Sequence, residues 1–65
     1  MTINMTLESL MKLAQNTLDN DFYEIRGLYT EYYPEAPITN GLLVQFVLDE
    51  FKKAWEEKGI TLVIR

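Results

Sequence analysis

Cysteine and histidine are both absent from this chain. Without cysteine there is no disulfide to staple a small fold and no thiolate to hold a metal. Without histidine the commonest general base is gone, and the best side-chain nucleophile went with cysteine. Serine occurs once, as Ser9, in the first turn of a predicted helix with no base beside it. Glycine is scarce: Gly27, Gly41 and Gly59 stand singly, so no glycine-rich loop is available to cradle a phosphate. Cations are also few, 6 Lys and Arg against 10 Asp and Glu, and the net charge is −4. Direct binding to nucleic acid needs clustered cations, which six scattered ones do not supply. No apolar stretch approaches the length of a bilayer span, and Met1–Met5 has neither the basic nor the apolar part of a secretion signal. These absences lead to the expectation of a cytoplasmic, non-enzymatic chain without cofactor, metal, membrane or direct nucleic-acid contact.

Two motifs look chemical and are better explained locally. Asp19-Asn20-Asp21 with Glu24 has oxygen ligands but not the twelve-residue spacing, the central glycine or the terminal glutamate of a calcium loop. Pro34-Glu35-Ala36-Pro37 has the P-x-x-P form of an SH3 ligand, but its flanks are acidic and carry no nearby cation. A stiff connection into a helix accounts for it. Paired carboxylates would be the remaining catalytic option, and 65 residues leave little room for an enclosed substrate pocket.

What the chain does have is a segregated charge. All four tyrosines and the whole net charge lie between Asp19 and Glu35. That stretch holds Asp19, Asp21, Glu24, Glu31 and Glu35 against Arg26 alone, while the charges elsewhere cancel. Folding does not require excess charge to collect in one quarter of a chain, so the strip is a candidate contact surface for something basic. Tyrosine adds large contact area at low rotamer cost. The candidate partner-binding residues are therefore Asp19, Asp21, Tyr23, Glu24, Glu31, Tyr32, Tyr33 and Glu35.

Helical periodicity is clearest from Asn40 to Lys58. Thr39 supplies an N-cap, Ile38 a staple onto Leu43, and Gly59 the left-handed residue that ends the helix, with Ile60 folding back on Trp55. Leu43, Val44, Val47, Leu48, Phe51, Ala54 and Trp55 form its apolar stripe. Leu42 and Phe46 fall off that stripe, four residues apart. Either another element covers them, the first helix or the tyrosine segment, or they form a self-association patch. The first helix is predicted from Leu7 to about Leu18, capped by Thr6, with Met5 stapled onto Leu10. Asp19-Asn20-Asp21 reads as a turn.

Ile60–Ile64 is β-branched and reads as a strand, with Phe22–Tyr29 or Thr2–Met5 as its neighbour. The segment Phe22–Tyr33 supports two patterns. As a strand it puts Tyr23, Ile25 and Tyr29 on one face. As a helix it aligns Phe22, Ile25, Tyr29 and Tyr32 behind an Asp21/Glu24 capping box. The strand is favoured, because aromatic and β-branched residues are dense there and the terminal strand needs a partner.

The expected fold is α+β: one domain over residues 1–65, with two helices packed on a small two- or three-stranded sheet. Its expected core is Leu7, Leu10, Met11, Ala14, Leu18, Ile25, Val44, Val47, Leu48, Phe51, Trp55, Leu62 and Ile64. The leading functional expectation is a non-catalytic protein-binding module whose acidic, tyrosine-bearing strip docks on a basic protein surface. An inhibitor of the phage or mobile-element kind, directed at a nucleic-acid enzyme, has this size and charge. The alternative is a self-assembling structural or accessory subunit, a homodimer with no external ligand. It would associate through Leu42 and Phe46 or through the edge of the terminal strand.

Overall fold

The computed structural model describes the whole chain, Met1–Arg65. Its elements follow the order β1 (Thr2–Met5), α1 (Leu7–Asn20), α2 (Phe22–Tyr32), α3 (Asn40–Glu57) and β2 (Thr61–Ile64). The class is α+β in the broad sense, with helix dominant.

The local signals at the helix ends act as their chemistry dictates. Thr6 Oγ1 accepts from the Ser9 N–H at 3.0 Å, and Thr39 Oγ1 accepts from the Leu42 N–H at 3.2 Å. Each satisfies one of the amides that an α-helix leaves unpaired in its first turn. α3 closes in a full Schellman arrangement. The Ile60 N–H donates to the Trp55 carbonyl at 2.8 Å and the Gly59 N–H to the Glu56 carbonyl at 3.0 Å. Gly59 takes φ +72°, a conformation in which a Cβ is strained.

The core is a helix–helix seam. Leu10, Ala14 and Leu18 of α1 meet Leu43, Val44, Val47 and Leu48 of α3, and Tyr29 of α2 and Phe46 of α3 complete the buried set. A polar clasp marks one end of the α1–α3 contact. Gln15 Nε2 donates to Asn40 Oδ1 at 3.1 Å, and Asn40 Nδ2 donates back to Gln15 Oε1 at 2.8 Å. Of the expected core residues, Ile25, Phe51, Trp55 and Leu62 are only half-buried, while Leu7, Met11 and Ile64 are exposed. Leu7 stands in the first turn of α1, ahead of the buried Leu10, and Met11 lies at the margin of the buried face. Leu43, Phe46 and Tyr29 are buried instead.

The expected strand at Phe22–Tyr29 is a helix. β2 finds its neighbour in β1, so nothing requires a strand there. The two elements pair in parallel, with Thr2 opposite Thr61 and Met5 opposite Ile64. Burial discriminates between the two patterns. A strand would put Tyr23 and Ile25 on one face, yet Tyr23 is 83% exposed while Ile25 packs against the core. The four-residue step from Ile25 to Tyr29 is the helical face that α3 covers. The predicted Asp19–Asp21 turn contracts accordingly. α1 runs on through Asn20, and Asp21 alone (φ −121°, ψ 35°) joins it to α2, without a side-chain capping bond. The architecture is therefore three helices on two strands, where two helices on a sheet were expected.

Candidate functional site

α2 sorts the acidic strip into two groups. At roughly 100° per residue, Ile25 and Tyr29 define the inward face, and Tyr23, Glu24, Gly27 and Glu31 lie on the outward one. Glu24 and Glu31 are seven residues apart on that face, roughly 10 Å along the axis. Tyr23 stands beside them, its ring in edge contact with Phe22 at 5.5 Å between centroids. Asp21, Tyr23 and Glu24 line one shallow hollow with Asn20, of about 220 Å³. Asp19, on the last turn of α1, accepts from Gln15 Nε2 at 2.9 Å. The first group thus comprises Asp21, Tyr23 and Glu24, continued along the helix by Glu31, whereas the Asp19 carboxylate is held by the Gln15 side chain that also clasps Asn40 of α3.

The second group has a different task. Tyr32 and Tyr33 turn toward α3, and their rings lie 5.7 and 6.4 Å from the ring of Phe46. Tyr29 meets the same ring edge-on at 5.7 Å. The Tyr29 hydroxyl donates to the Pro37 carbonyl at 2.9 Å, which ties the proline loop down onto the helices. Three tyrosines thereby enclose Phe46, leaving it 6% exposed. The pairing of Leu42 and Phe46 as a self-association patch is corrected here: Leu42 remains 40% exposed, but Phe46 is core. Of the two alternatives, the tyrosine segment is what covers it. Tyr32 and Tyr33 stay more than half exposed and line a groove of about 540 Å³ with Asp49, Glu50, Lys52 and Lys53. This end is electrically mixed, and Glu50 pairs with Lys53 at 3.6 Å. Glu35 stands exposed on the loop beyond.

Salt bridges leave the strip untouched, as they also leave Asp49, Glu56 and Glu57. The structure has two salt bridges, Glu8–Lys12 and Glu50–Lys53, and neither involves Asp19, Asp21, Glu24, Glu31 or Glu35. Five carboxylates close along one helix and its flanks thus keep their charge uncompensated except by solvent and by Arg26, which no carboxylate approaches within pairing distance. No three acidic groups come close enough together to hold a metal ion. Nor is any helix long and apolar enough to cross a membrane.

One exposed apolar residue beside the strip, Leu28, is assigned no face by either sequence pattern. The wheel of α2 carries the signal: Leu28 lies off the Ile25–Tyr29 stripe and reaches solvent. Read as a strand, the segment hides this. Comparison of the chain with protein-family models, curated proteins and solved structures finds no match, so a functional reading rests on its own residues.

Proposed function

We propose that the chain is a non-catalytic binding protein that docks the outward face of α2 on a basic surface of a larger protein. The observation carrying this reading is the convergence on one face of Tyr23, Glu24 and Glu31, with Asp21 at its head and no ion-pair partner for any of these carboxylates. Unpaired charge of one sign on a rigid helix raises the encounter rate with a surface of opposite sign. A projecting tyrosine then supplies the short-range contact that charge alone does not. Tyr32 and Tyr33, more than half exposed even while they cover Phe46, extend the contact toward the loop. A nucleic-acid enzyme with a basic groove is a fitting target, and an inhibitor that occupies such a groove is the corresponding mechanism.

Capture from a cell lysate with the wild type and with an E24K/E31K/E35K variant tests the proposal. A basic protein retained at low salt, released at high salt and not captured by the variant is the expected result. Equal retention by the variant, with its helical circular dichroism intact, overturns it.

A further inference from the structure

We infer that β2 pairs with β2 of a second copy, antiparallel about a two-fold axis through Val63, to form a four-stranded sheet. The surface involved shares no residue with the acidic face of α2, so the inference stands independently of the function proposed above.

The backbone supplies the first argument. The N–H groups of Thr61 and Arg65 donate to the Met1 and Met5 carbonyls, both at 2.9 Å. Alternate residues of a strand direct their N–H and C=O groups to opposite sides. Leu62 and Ile64 therefore turn theirs away from β1, and the sheet has no further strand to receive them. Natural edges are guarded by lysine, proline, a bulge or an inward charge. Thr61–Ile64 has none of these.

The second argument is an apolar hollow below that edge. Trp55, Ile60, Leu62 and Ile64 line it with Lys52, and it measures about 230 Å³. In the antiparallel register centred on Val63, Leu62 faces Ile64 of the second copy, and both belong to the helix side of the sheet. The incoming isoleucine is delivered into the hollow, and the same happens in the other direction. The register makes four ladder hydrogen bonds and sets no charge opposite a like charge, since Arg65 faces Thr61 of the second copy. The strand is thus complementary to itself, as a two-fold interface requires.

The third argument is area. The chain exposes 4803 Å². A monomer of 7.6 kDa is expected to expose about 4300 Å². The radius of gyration is 12.4 Å, against about 11 Å for a compact chain of this length. An excess of about 500 Å² per chain matches what one partner contributes to the smallest stable interfaces, about 1000 Å² in total. On β2 itself, Ile64 is 48% exposed and Val63 41%.

Sedimentation equilibrium from about 10 μM to 1 mM, with amide hydrogen exchange at both ends of that range, tests the inference. Dimer should accumulate with concentration. The Leu62 and Ile64 amides should gain protection with it, while the Thr61 amide is protected throughout. Ile64→Pro removes an outward N–H and leaves the bonds to β1 in place, and Ile64→Lys puts a charge at the same edge. Each should weaken association at least about 10-fold with the helical signal retained. A monomer across the whole range overturns the inference. So does a dimer whose Leu62 and Ile64 amides exchange freely, or one that survives in a folded variant.

Discussion

The α1–α3 seam and the β1–β2 sheet differ in how completely they close. Leu10, Ala14, Leu18, Leu43 and Val47 are all 3% exposed or less, and no residue of either strand is buried. Two helices interlock along several turns and exclude water from both sides of the seam. Two strands of four residues have one covered face and two open edges. Size is the cause: a chain of 65 residues can close one layer fully, and the second is left half-finished. The seam therefore holds the fold, and the sheet keeps backbone edges open to further pairing.

Four substitutions break or sharpen that contrast. Leu43→Ala empties a fully buried site and should cost about 2–5 kcal/mol. Against about 3–10 kcal/mol for a whole domain of this length, that leaves little or no folded protein, which urea unfolding would reveal. Leu62→Ala, the same change in the half-buried sheet, should cost only about 1–2 kcal/mol at protein concentrations where the chain is monomeric. Equal losses at the two sites would end the distinction between seam and sheet. Tyr29→Phe keeps the ring against Phe46 and deletes the bond to the Pro37 carbonyl. A loss of about 0.5–1.5 kcal/mol is expected, with faster amide exchange confined to residues 33–39. Gly27→Ala should stabilise by about 0.5–1 kcal/mol, because a Cβ there meets nothing and α2 gains helix propensity. Destabilisation by that change would count against the helix at Phe22–Tyr32.

The elements that could be read from the sequence are those whose determinants are local. Thr39, Gly59 and the stripe from Leu43 to Trp55 lie within one helix, and α3 ends within a residue of where they placed it. Thr6 set the start of α1 in the same way. Phe22–Tyr32 was misread because its choice depended on which segment β2 would take as neighbour. That neighbour, Thr2–Met5, carries almost no strand signal of its own. Phe46 lay outside its helix stripe, and only the fold could bring Tyr29, Tyr32 and Tyr33 over it. The acidic strip was visible as charge, but its division into an outward face and a covering group required α2 to be a helix.

One feature of the sheet bears on the order in which the molecule assembles. Thr2 pairs with Thr61, a separation of 59 residues (61 − 2). Closing a free loop of that length costs about 3–4 kcal/mol in chain entropy before any contact offsets it. Two short, half-buried strands cannot supply that by themselves. The helices must pack first and bring the strands within reach, so the sheet forms after the rate-limiting step. Conservative substitutions at Ile3 and Leu62 should then leave the folding rate nearly unchanged and speed unfolding, whereas changes in the helical seam slow folding. While the helices assemble, β2 has no partner from its own chain, and it is the segment through which two half-folded copies would first recognise each other.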